Sequence, residues 1–106
     1  NSIGLEMSSS SAVASANLDE SILSGIITLK FLNSTWIQIR DINENIIISQ
    51  LMESNEEYNY DMKDKYSLTA GNAGNILVLI NKEVRGKVGN FGEVVDSIII
   101  DSNFSN

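Results

Sequence analysis

From residue 25 onward, apolar and polar positions alternate with a period of two. Ile27, Leu29 and Phe31 alternate with Thr28 and Lys30, and Ile37 and Ile39 alternate with Trp36, Gln38 and Arg40. Successive side chains of an extended strand point to opposite faces, so each run predicts a strand with one buried face. Asp41-Ile42-Asn43-Glu44-Asn45 interrupts the pattern with turn formers, and a β-branched run over 46–51 follows. That order predicts a strand, a tight reversal and a third strand. Tyr58 and Tyr60 frame a short fourth strand, and 66–70 alternates as a fifth. Ile76–Ile80 is apolar throughout, which predicts a central strand buried on both sides. Asn81-Lys82-Glu83 predicts a reversal into a strand over 84–88. A last strand over 94–100 follows the Gly89-Asn90-Phe91-Gly92 turn.

Turn signals recur roughly every 8–15 residues, with no helical period of comparable strength. The expected fold is therefore all-β, an antiparallel β-sandwich of immunoglobulin-like size with seven or eight short strands. Residues 1–24 read as a separate piece. They hold eight serines and no lysine or arginine, and Ser8-Ser9-Ser10-Ser11 leads into Ala-Val-Ala-Ser-Ala. The expectation is a flexible Ser-rich linker over 1–24 and a β-sandwich domain over 25–106.

Composition narrows the chemistry. A chain of 106 residues has room for one domain, and 42% apolar with 20% charged residues is ordinary for a globular one. Cysteine and histidine are absent, which removes disulfides, the commonest transition-metal ligands and the usual base of serine and cysteine hydrolases. Fourteen acidic residues against seven basic ones leave a net charge of −7. The seven cations are scattered, so a nucleic-acid or anionic-membrane surface is not expected. No apolar run approaches the ~20 residues that span a bilayer. The chain reads as an excised fragment with no membrane contact of its own.

Three patterns carry candidate chemistry. Asp41-x-Asn43-x-Asn45 resembles the start of a calcium loop, but Ile46 stands where glycine is needed and Met52 where the distal glutamate belongs. A polar hairpin reversal is the better reading. Glu53, Glu56, Glu57, Asp61 and Asp64 lie in two loops rich in Asn and Lys, which reads as solvated surface rather than a glycosidase-like carboxylate pair. Gly71-Asn72-Ala73-Gly74-Asn75 lacks the Gly-Lys-Ser of a phosphate loop. Tolerance of positive φ, in a β-turn before the next strand, accounts for its glycines and asparagines. No catalytic, cofactor or metal site is expected.

Trp36 is the residue with two readings. A lone tryptophan in a small domain is most often structural, so the expectation is that Trp36 plugs one end of the sandwich. Alternation nevertheless places it on the face of Gln38 and Arg40, where an exposed ring beside a guanidinium would anchor a partner or a sugar. Trp36, Gln38 and Arg40 are accordingly the candidate partner-binding residues.

The order Phe31, Trp36, Asp41, Leu51, Gly71-Asn72-Ala73, Asn81, Gly92 and Val94-Val95 resembles the C-terminal, extracytoplasmic domain of the bacterial cell-shape protein family RodZ. The resemblance covers about residues 26–101, and the segment 92–98 is most similar to α-proteobacterial members. Glu44, Asn55 and Lys82 depart from it, standing where the family usually has glycine. The resemblance implies a periplasmic interaction domain of a membrane-anchored protein, with a transmembrane helix upstream and no enzymatic activity. It also implies a link from the cytoskeletal protein MreB, bound by an N-terminal cytoplasmic helix-turn-helix, to partners in the cell-wall elongation machinery. A carbohydrate- or peptidoglycan-binding module using Trp36 is the alternative.

Overall fold

The computed structural model describes residues 25–106; the linker expected over 1–24 lies outside them. Eight strands follow the sequence alternation: β1 (Ile26–Phe31), β2 (Thr35–Arg40), β3 (Ile46–Met52), β4 (Glu57–Asp61), β5 (Ser67–Ala70), β6 (Ile76–Ile80), β7 (Glu83–Lys87) and β8 (Val95–Ile99). They form two four-stranded antiparallel sheets, ordered β4-β1-β6-β7 and β3-β2-β5-β8. Within one sheet, β2–β3 and β6–β7 are hairpins; the other connections cross to the opposite sheet. The expected antiparallel sandwich is the observed fold.

The core is built from the inward positions of both sheets. Ile27, Leu29 and Phe31 of β1 and Ile76 and Val78 of β6 meet Ile37 and Ile39 of β2 and Leu68 of β5, all essentially without solvent contact. Thr35 is also buried, and its hydroxyl donates to the Asn33 carbonyl at 3.0 Å, so burial leaves no unpaired donor there. Tyr60 is sandwiched in sequence and space between Tyr58 and Tyr66, with ring centroids 6.1 and 5.4 Å away. One expectation fails: β6 is central in its sheet, yet it is not buried on both sides. Leu77 and Leu79 point to the outer face and are only half-buried, because a two-layer sandwich covers each sheet on one side.

Three residues that stand where glycine is usual have the left-handed backbone that glycine favours. Glu44 has φ 70°, Asn55 φ 72° and Lys82 φ 71°. Asn81 precedes Lys82 at φ 52°, and Ile80 pairs with Glu83, so Asn81-Lys82 is a two-residue hairpin loop with both central residues at positive φ. That geometry matches the twist of the flanking strands.

The last residues seal one sheet edge. Asn106 donates its N–H to the Arg85 carbonyl at 3.1 Å and its side-chain amide to the Lys87 carbonyl at 2.9 Å. Arg85 Nη1 in turn donates to the carbonyls of Ser102 and Phe104. A side chain at Gly86 would start 2.0 Å from the Asn106 carbonyl oxygen, so only glycine lets the tail lie along β7.

Candidate functional site

Alternation along β2 turns Thr35, Ile37 and Ile39 to the core and therefore turns Trp36, Gln38 and Arg40 outward. The structure brings these three candidates together on the outer face of the β3-β2-β5-β8 sheet. Trp36 is 43% exposed. It does not plug the end of the sandwich; strand parity overrules the general tendency of a lone tryptophan to be structural.

Each neighbour follows from register. Trp36 lies opposite Leu51, Gln38 opposite Ser49, and Arg40 opposite Ile46. On the other side Gln38 faces Thr69 and Arg40 faces Ser67. The β2–β3 ladder shifts between Ile39 and Arg40, so Ile46 and Ile47 together oppose the single residue Arg40. Both are consequently exposed, as is Leu51. The face thus has an apolar end at Trp36 and Leu51, a second apolar end at Ile46 and Ile47, and a polar band between them. The sequence alternation marks the outward position of Trp36; Leu51, Ile46 and Ile47 emerge only from pairing and the ladder shift.

Arg40 supplies the charge. Its Nη1 lies 3.8 Å from Glu44 Oε1, and its Nε has no hydrogen-bond acceptor among the described residues. That Nε is buried, so the donors open to an incoming carboxylate or carbonyl are those of the terminal guanidinium nitrogens, which the one long, exposed ion pair with Glu44 leaves largely unengaged. Beyond it, Thr69 Oγ1 donates to Asp96 Oδ1 at 3.0 Å and accepts from the Ser97 N–H at 3.1 Å, which fixes the start of β8.

The other candidate patterns have structural roles. Asp41 Oδ1 accepts from the N–H groups of Asn43 and Asn45 at 2.9 and 2.8 Å, and its Oδ2 accepts from the Asn45 side-chain amide. These donors, the Asn45 N–H foremost, hold the Asp41 carboxyl below the usual aspartate range. The loop is a hairpin reversal that closes on its own aspartate. Glu53 and Glu56 are exposed and bond locally, Glu56 Oε1 accepting the Glu53 N–H and Glu53 Oε1 accepting the Ser34 hydroxyl. Asp61 caps the short 3-10 turn Met62–Asp64 by accepting the Lys63 N–H.

The Gly71–Asn75 segment corrects the expectation of positive φ. None of its residues has it; Ala73–Asn75 is a 3-10 turn capped by Asn72, whose Oδ1 accepts from the N–H groups of Gly74 at 3.2 Å and Gly92 at 2.7 Å. Gly74 is required by close approach, since a Cβ there would lie 2.4 Å from the Phe91 Cα. On the opposite sheet an open depression of about 620 Å³ is lined by Ile26, Thr28, Glu57, Asn59, Leu79, Asn81 and Lys82. Its Thr28 hydroxyl donates to Asn59 Oδ1. Among the described residues no group of three acidic side chains could hold a metal ion.

No curated protein and no solved structure matches the chain. The model of the RodZ C-terminal domain family matches residues 28–95, which spans β1 through the start of β8 and includes the whole Trp36 face. On that match, over more than half its length, this chain belongs to the RodZ C-terminal domain family, a domain of RodZ-like cell-shape proteins.

Proposed function

We propose that the chain is a non-enzymatic, periplasmic interaction domain that docks proteins of the cell-wall elongation machinery on its Trp36 face. In this reading other parts of a membrane-anchored RodZ-like protein reach MreB, and this domain makes the outer contacts. The observation that carries it is the half-exposed Trp36–Leu51 pair beside Arg40, on a rigid sheet rather than a loop. Partly exposed aromatic and arginine side chains of this kind are the residue types that dominate protein–protein binding energy. The test is complementation of cell shape by the full-length protein carrying Trp36→Ala with Arg40→Ala. The expected result is a folded domain and lost rod shape; normal shape with both side chains gone would refute the assignment.

A second reading rests on the same ring. An exposed indole is also a stacking platform for a sugar, and cosedimentation with purified peptidoglycan separates the two. The protein-docking reading expects no binding to sacculi; saturable binding that Trp36→Ala abolishes would establish the carbohydrate module instead.

A further inference from the structure

On the far side of the sandwich from Trp36, one cross-strand row sets Asn59 of β4, Thr28 of β1 and Leu79 of β6 side by side. These three form the middle of the open depression of about 620 Å³. Ile26 and Leu79 supply its apolar floor, both of them partly open to solvent. Glu57 stands at one end, and the Asn81-Lys82 hairpin loop stands at the other.

The polar groups at the middle and at the hairpin end are set to donate. The Thr28 hydroxyl donates to Asn59 Oδ1, and the Ile26 N–H donates to Asn81 Oδ1 at 2.9 Å. Each amide oxygen is thus committed to the protein, and each NH2 group is left to donate elsewhere. Lys82 adds an ammonium, which has donors and no acceptor. Its φ of 71° suits glycine better than lysine, so what lysine brings to this turn is its side chain. Glu57 is the one carboxylate in the lining. Two further charges border the depression. Lys30 lies across from Glu57, and Asp61, across from Ile26, is already engaged as acceptor of the Lys63 N–H.

We propose that this depression binds a short peptide by its free C-terminal carboxylate and an aliphatic side chain. The carboxylate accepts from the Lys82 ammonium and the Asn81 NH2 group, because it has no proton of its own and both its oxygens accept. The aliphatic side chain covers Leu79 and Ile26, and a peptide carbonyl accepts from the Asn59 NH2 group. The amino terminus meets Glu57. Length fits this arrangement. The levels of Glu57 and Asn81 differ by four residues along β1, and their strands lie two spacings apart, which separates the two ends by roughly 16 Å at the backbone. The side chains reach inward from both ends and leave about 10 Å, the span of an extended tripeptide. An open site of this kind binds weakly, with a dissociation constant expected at about 1–10 mM.

NMR titration of the 15N-labelled chain with the tripeptide Ala-Leu-Ala tests the site. Saturable shifts of the Asn59 and Asn81 side-chain NH2 signals are expected. Amidating the peptide's C-terminus should weaken binding at least fivefold. Acetylating its N-terminus should weaken binding less, and should make no difference in Glu57→Gln. Lys82→Gly is a safe variant to fold, since glycine suits that backbone, and should also lose at least fivefold, whereas Lys82→Arg keeps the charge and most of the binding. The site lies on the opposite sheet from Trp36, so its outcome is independent of partner docking there. Absence of saturable shifts, equal binding of the amidated peptide, or a Lys82→Gly variant that binds as tightly as the unaltered chain would each overturn the proposal.

Discussion

Trp36 and Leu51 face each other as directly opposed residues of β2 and β3 on a solvent-facing sheet, each about half exposed. Such a cross-strand pair contributes roughly 0.2–1 kcal/mol, far below the ~3–5 kcal/mol of a buried aromatic. Trp36→Ala is therefore expected to lower stability by about 1 kcal/mol. Urea unfolding followed by circular dichroism should show a small fall in midpoint with an unchanged slope. A fall of several kcal/mol would return Trp36 to a folding role.

The left-handed positions give a stabilising pair. Glu44 and Lys82 each hold an L side chain at a φ near 70°, a conformation that glycine adopts without the Cβ clash. Glu44→Gly and Lys82→Gly should each raise stability by about 0.5–1 kcal/mol, net of glycine's larger unfolded-state entropy. Asn55, at φ 72°, is an internal control: asparagine already tolerates this region, so Asn55→Gly should change little. Thermal unfolding of the three variants checks the ranking.

Asn72 ties two loops that are far apart in sequence, since its one side-chain carbonyl accepts from both Gly74 and Gly92. Asn72→Ala removes the acceptor and leaves two donors unpaired, with an expected cost of roughly 1–2 kcal/mol. Asn72→Asp keeps an acceptor at the same place and should restore most of the loss. Amide exchange at Gly92 reads the effect directly: protection should fall in Asn72→Ala and return in Asn72→Asp.

Tyr60 predicts the alkaline limit of stability. Burial, reinforced by Tyr58, pushes its phenol well above the ordinary tyrosine range. Unfolding frees the phenol to ionise near pH 10, so above that pH the unfolded chain binds fewer protons than the native one. Stability contributed by the raised value is complete below about pH 10 and falls as pH rises further. Equilibrium unfolding between pH 9 and 11.5 should show this decline, and Tyr60→Phe should flatten it. An equally steep decline in the variant would assign the effect elsewhere.

The alternation of single residues determined the strands. Ile27/Leu29/Phe31 and Ile37/Ile39 are inward because a period of two allows nothing else once one face is buried, and the remaining strands were legible as short apolar or β-branched runs between turn signals. The hairpin at Asp41 was legible too, because its donors and acceptors are neighbours in the chain. What lay beyond the sequence depended on which strands meet. A continuous apolar run such as Ile76–Ile80 reads the same whether one face or both are covered, and only the two-layer stacking left Leu77 and Leu79 half-open. Gly74 reads as a turn glycine and Gly86 falls inside a predicted strand, but backbone from Phe91 and Asn106 requires the first by proximity and the second by proximity and φ together. The edge position of β3 likewise follows only from strand order, which places β3 outermost in its sheet, whereas the chain end covers β7 in the other. Local hydrogen bonding and side-chain parity are written in neighbouring residues. Close approach, edge position and the composition of a sheet face arise from contacts between segments distant in the chain, and those the tertiary structure alone decides.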